Sequence, residues 1–169
     1  ADSALSAPTG CQLRPDTAHR RSHPVTELRP LVAADVPTLA AIHAAAFGPH
    51  AWTEAMFADS LRSVDVWGLL LVNATQPVGF ALCQQIGGDC EILTFAILPP
   101  QQQRGLGRHM LQALYDAAKA RQSSQIFLEV AADNILARRL YTGFGFKLAG
   151  ARPGYYPRPG GAVEALGAA

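Results

Sequence analysis

At 169 residues with a net charge of +1, the chain is sized for one domain and too neutral to have a nucleic-acid backbone as its main partner. Hydrophobic residues make up 49% of it, but 30 of them are alanine, and no run of about 18 apolar residues is present to span a bilayer. Charged residues are only 16%, and arginine supplies 12 of the 14 basic ones.

Residues 1–25 lack apolar periodicity and read as a disordered tail, without the apolar stretch of a secretory signal. Arg14, Arg20 and Arg21 against Asp2 and Asp16 give this tail the whole net charge, and residues 26–169 read as a single domain. A short strand is expected over 27–32. Asp35 reads as a helix cap with Pro37 tolerated in the first turn, and Val36, Leu39, Ile42 and Ala46 follow at helical spacing. Phe47-Gly48-Pro49 ends that helix, and Thr53 caps a second one running to about Leu61. Strands are expected over 66–72, 77–86 and 90–98, with turns at 73–76 and at Gly87-Gly88. With the two glycines as the turn, Cys90 opposes Gln85 and Ile92 opposes Cys83 in an antiparallel meander. Cys83 and Cys90 are then not directly opposed. Together with Cys11 they make an odd count without C-x-x-C spacing, which argues against a disulfide framework or a zinc site and for reduced core thiols in the cytoplasm.

After the meander the pattern changes. A glycine-bearing loop, Pro99 to Gly107, opens a helix with Leu106, Met110, Leu111, Leu114, Ala117 and Ala118 on one face. A strand over 125–130 follows, making a parallel, right-handed strand–helix–strand crossover. Asp133-Asn134 caps a helix over about 135–142, ended by Gly143-Phe144-Gly145. A last strand pair, 146–149 and 162–166, is expected around a Pro/Gly/Tyr-rich loop. The sum is a mixed α/β (α+β) domain with a mostly antiparallel sheet and one parallel crossover at the glycine loop.

A helix start offers unpaired N–H groups and the positive end of a dipole, and glycines admit a close ligand, so Gln102–Gly107 with Arg104 and Arg108 is either an anion site or a tight capping loop. A P-loop is excluded because no Gly-Lys pair occurs, and a dinucleotide fingerprint is broken by Met110 at its third glycine. The loop does satisfy Q/R-x-x-G-x-G/A with Gln102, Gly105 and Gly107. Three further motifs follow in order: L-E-V-x-x-x-N (Leu128 to Asn134), A-x-x-L-Y-x-x-x-G-F (Ala137, Leu140, Tyr141, Gly145-Phe146) and R-x-x-Y-Y-P (Arg152 to Pro157). In this ordered set the chain, over about residues 26–166, resembles the GCN5-related N-acetyltransferase (GNAT) superfamily. Within that superfamily it resembles the RimI-type enzymes that acetylate the N-terminal alanine of a small-subunit ribosomal protein.

The resemblance implies acetyl-CoA as co-substrate, no metal, and direct transfer without an acyl-enzyme. It places the pyrophosphate on Gln102, Gln103, Arg104, Gly105, Leu106, Gly107 and Arg108, and the pantetheine arm along the backbone of Phe95 and Ile97 and against Asn134. Glu129 matches the general base, and as an acid at the end of an apolar strand it is placed where desolvation strengthens a base. The alternative for Glu129 is pairing with an arginine. Tyr141 matches the acid that protonates the departing sulfur, and a phenol is a proton donor at neutral pH. Its alternative is a core aromatic. The acceptor, a protein N-terminal peptide, is expected between 47–53 and 152–158, held by Phe47, Trp52, Arg152, Tyr155 and Tyr156. His50 is a weak second-base candidate and His109 reads as structural. No nucleic-acid or membrane partner is expected, and the chain is expected as a monomer or weak dimer. Two departures from the family pattern bear on acceptor choice: Ala131 stands where arginine is frequent, and Gly160-Gly161-Ala162 where Glu-Asp-Ala is common. The rival functions are acetylation of a small amine and a non-catalytic acyl-CoA-binding module.

Overall fold

The computed structural model describes the backbone of residues 25–158 and 161–168, and the side chains of residues 25–151 and of Pro153. Residues 1–24 of the expected tail therefore lie outside the described residues, as do the side chains of Arg152, Tyr155 and Tyr156. In chain order the elements are β1 (Thr26–Pro30), α1 (Val36–Phe47), α2 (Glu54–Leu61), β2 (Val66–Asn73), β3 (Gln76–Ile86), β4 (Asp89–Ile97), α3 (Leu106–Ala120), β5 (Ile126–Ala131), α4 (Ile135–Phe144), β6 (Leu148–Arg158) and β7 (Gly161–Ala168). The strands form one seven-stranded sheet in the order β1-β2-β3-β4-β5-β7-β6. Among the described strands only β4 and β5 pair in parallel, as the crossover requires. No helix among the described residues is long and apolar enough to cross a membrane.

The sheet carries a helix layer on each face. On one, Val36, Leu39 and Ile42 of α1 and Phe57 of α2 pack against Leu70, Phe80, Leu82 and Ala96. On the other, Met110, Leu111, Leu114 and Ala118 of α3 and Tyr141 of α4 pack against Leu71, Ala81, Cys83, Cys90, Ile92, Leu128 and Val130. The alternation of side chains along β2 to β5 divides these residues between the layers. Cys83 and Cys90 are buried and unbridged, opposite Ile92 and Gln85 as the hairpin reading requires. Burial pushes the Cys83 thiol well above its ordinary range.

Two expectations change, and the hairpin register carries an interruption just beyond the two expected pairs. Asp35 does not cap α1 with its side chain, because its backbone is already helical (φ −79°, ψ −13°) at the end of a short 3-10 turn, whereas a capping side chain needs extended backbone. Its carboxylate instead accepts two bonds from Arg29, at 2.9 and 2.7 Å, and one from the Val32 N–H at 2.9 Å. The hairpin register is not continuous either. Cys83 faces Ile92 but Leu82 faces Thr94, so Leu93 is an extra residue, a β-bulge in β4. Finally, the last two strands are longer than expected, and 152–157 is strand rather than loop, with a register break between Arg152 and Tyr156. Pro153 and Pro157 fit there because β6 is the sheet's edge and one side of it needs no ladder. Thr53 behaves as expected, accepting the Met56 N–H at 3.3 Å.

Candidate active site

β4 and β5 pair only over Cys90↔Ile126, Glu91↔Phe127 and Ile92↔Leu128. Beyond that point β4 runs on to Ile97 and β5 to Ala131 without pairing to each other, each still paired with its other neighbour. The bulge at Leu93 falls where the pairing stops, and a bulge bends its strand and increases its local twist. The sheet is thereby split, and the backbone edge of 93–97 faces a cleft of about 1000 Å³.

The glycine loop closes one end of that cleft. Gln102 donates its side-chain amide to the Ile97 carbonyl at 3.0 Å, pinning the loop to the end of β4. Gln103 (φ 59°) and Gly105 (φ 79°) adopt left-handed backbone, a conformation found in anion-holding concavities. The first α3 bond runs from the His109 N–H to the Gly105 carbonyl at 3.0 Å, so the N–H groups ahead of it have no intrahelical partner. Gly107 lies against Leu140 of α4, where a Cβ would come within 2.9 Å of a Leu140 methyl. Arg108 lines the cleft while donating to the Gly143 carbonyl at 3.1 Å and lying over the Phe144 ring. Arg104 and Leu106 stand apart: Arg104 is exposed and Leu106 packs against the α3 core, and neither is among the lining residues.

Glu129 and Tyr141 reach the cleft from opposite faces of the sheet. Leu128 and Val130 point into the α3 layer, so Glu129 between them points to the α1 side, half-buried. Tyr141 is buried at 7% exposure in the α3 layer, edge-on to Phe95 at 6.1 Å and to Phe146 at 5.7 Å. Asn134 lines the cleft and also caps α4, accepting the Ala137 N–H at 3.2 Å. Phe95 and Ile97 line it from β4, Phe47 from the end of α1, and Trp52 from the α1–α2 connection. His50 lines it as an exposed residue and His109 does not line it.

His43 of α1 belongs to this site and was not singled out by the sequence reading. It is 3% exposed, and its ring lies against Phe47, Phe57 and Phe80. Its Nδ1 accepts the Trp52 N–H at 3.0 Å, which leaves the ring proton on Nε2, 3.0 Å from the Thr94 hydroxyl. Burial lowers its pKa to about 4, so it is neutral at physiological pH. The available signal was its spacing: four residues after Leu39 and next to Ile42, it sits on the apolar stripe of α1. Among the described residues no group of His, Cys, Asp and Glu could hold a metal ion.

Residues 37–146 match the family model of the GNAT acetyltransferases. The chain belongs to the GNAT acetyltransferase family. Among its GNAT relatives, the [ribosomal protein bS18]-alanine N-acetyltransferase of Escherichia coli is 31% identical over 115 residues, 68% of this chain and 77% of that enzyme. The corresponding Haemophilus influenzae enzyme is 36% identical over 96 residues, 57% of this chain and 65% of that enzyme, so the match spans under two thirds of the Haemophilus protein. The crystal structure of the E. coli enzyme superposes with a TM-score of 0.80 at 28% identity, over 85% of this chain and 92% of that one. The fold also recurs in Arabidopsis thaliana NAA60 crystallised with acetyl-CoA, at a TM-score of 0.73 and 17% identity over 85% of this chain and 97% of that one. The mixed, mostly antiparallel sheet expected from the order of elements along the chain is the GNAT fold.

Proposed function

We propose that this GNAT protein transfers the acetyl group of acetyl-CoA to the N-terminal α-amine of a protein, the N-terminal alanine of a small-subunit ribosomal protein, by direct attack in a ternary complex. The observation that carries this reading is the split between β4 and β5, with Glu129 on one face, Tyr141 on the other and the glycine loop at its end. The relatives named above supply the acceptor class. In this reading the N–H groups at the start of α3 hold the pyrophosphate, and the open edge of 93–97 pairs with the pantetheine amides. The amine nitrogen bonds to the thioester carbon as Glu129 takes its proton. The C–S bond then breaks as the Tyr141 phenol gives its proton to the sulfur. Cys83 takes no part, since its buried thiol is held in the protonated state.

The test is acetyl transfer to a panel of peptides, read by mass. A peptide beginning Ala-Arg is expected to gain one acetyl group at its α-amine. Acetylation of small amines with no peptide product would select the small-amine reading, and acetyl-CoA binding without turnover on any amine would select the binding module. Tyr141→Phe is expected to lower kcat by about 10²-fold, and unchanged turnover would remove it as the acid. Glu129→Gln is expected to lose activity at every pH, and rescue at high pH would show that ionisation of the amine, not Glu129, is limiting.

A further inference from the structure

His43 and Thr94 are close together because of the bulge. In a regular strand Thr94 would share the face of Ile92 and point into the α3 layer. With Leu93 inserted, Ile92 stays in the α3 layer, Leu93 packs with the α1 layer, and the Thr94 hydroxyl reaches His43 of α1. Glu129 points to the same side of the sheet, and Thr94, half-buried, lines the cleft with it. Thr94 lies beyond Ile92, the last β4 residue paired with β5, and so in the split itself.

The direction of the bond follows from the ring. Trp52 N–H occupies Nδ1, so Nε2 carries the hydrogen and the Thr94 oxygen accepts it. His43 is the only partner of that hydroxyl among the described residues. The hydroxyl therefore has its own hydrogen left to donate, and the space beside it is the cleft. His43 does no proton chemistry here: both nitrogens are engaged and the ring is wedged between Phe47, Phe57 and Phe80.

We propose that Thr94 donates a hydrogen bond to a backbone carbonyl of the acceptor, and that His43 is the positioning residue that holds the Thr94 hydroxyl as a donor. This deepens the reading above and rests on it. A donor aimed at a carbonyl favours an α-amino acyl group, which carries one beside its amine, over a simple alkylamine, which has none. The same ring, through Trp52, ties the α1–α2 connection to β4, so one residue sets both walls of the acceptor end.

The experiment measures KM for an Ala-initiated peptide and for acetyl-CoA on the full chain, as wild type, Thr94→Val, Thr94→Ser, His43→Phe and the Thr94→Val/His43→Phe double variant. Thr94→Val is expected to raise the peptide KM about tenfold, with the acetyl-CoA KM changed less than about twofold and kcat little affected. Thr94→Ser restores the wild-type value. His43→Phe keeps the ring packing, raises the peptide KM similarly, and adds nothing to Thr94→Val in the double variant. Additive losses, equal rises in both KM values, or a fall in kcat at unchanged peptide KM would overturn the proposal, the last because it places the hydroxyl at the thioester. The Val/Ser pair decides even where His43→Phe lowers stability. A wild type that acetylates no peptide overturns the functional reading and this proposal together, whereas an active wild type indifferent to Thr94→Val overturns this proposal alone.

Discussion

His43 and Asp35 are the two buried polar residues of the described core, and each has its charge state fixed by its surroundings, His43 by burial and Asp35 by its arginine partner. His43 is held neutral, its pKa lowered by burial from 6.5 to about 4. Between those values the unfolded chain binds more protons than the native one, so stability is full above about pH 6.5 and falls as pH drops toward 4. Denaturant titrations across that window are expected to show the loss in wild type and a flatter profile in His43→Phe. Asp35 has the opposite origin: the Arg29 guanidinium bonded to it holds its carboxyl below the ordinary 3.8, so its contribution is present above that value and is lost as pH falls below it. Arg29→Met is expected to cost about 1 kcal/mol by thermal or chemical denaturation, a modest figure because the guanidinium is partly solvated. At this scale the sequence singled out Glu129 and Tyr141 through contiguous, ordered motifs, and both line the cleft. It did not locate His43 or Thr94, whose partners are 51 residues apart in the chain and meet only through the bulge.

The elements were legible where local chemistry decides them. Thr53 caps α2 through its own hydroxyl, and Thr53→Ala is expected to cost about 1 kcal/mol in stability with no change in acetyl-CoA KM. Gly105 offers a contrast. Its left-handed backbone (φ 79°) has open space around the missing Cβ, so Gly105→Ala meets conformational strain of about 1–2 kcal/mol rather than a clash. A raised acetyl-CoA KM, measured by initial rates, is the expected outcome, because relief of the strain moves the N–H groups at the start of α3. The elements misjudged were those set by neighbours. Proline and glycine at 153–157 signal a loop in isolation, yet an edge strand accepts them, and β6 is at the edge only because β7 inserts between it and β5. The bulge at Leu93 likewise carries no residue signature, and shows itself only in the register against β3.

Across the whole molecule, the two helix layers hold a sheet that is continuous at its first four strands and split at the fifth. Phe57 anchors the α1–α2 layer: it is fully buried and meets His43, Trp52 and Phe80 through ring contacts of 5.2–5.5 Å. Phe57→Ala is expected to cost about 3–5 kcal/mol in unfolding free energy, enough to threaten a domain of this size. The sequence by itself determined the parts that depend on neighbours in the chain: helix faces, caps, the Gly87-Gly88 hairpin, the glycine loop and the ordered motifs that pointed to GNAT chemistry. Only the tertiary structure decided where β4 parts from β5, which face each side chain takes beyond Leu93, and that His43 and Thr94 meet beside the cleft. The physical reason is that side-chain direction in a strand has a period of two, so one inserted residue reverses every face after it, and whether it is inserted depends on the strands alongside.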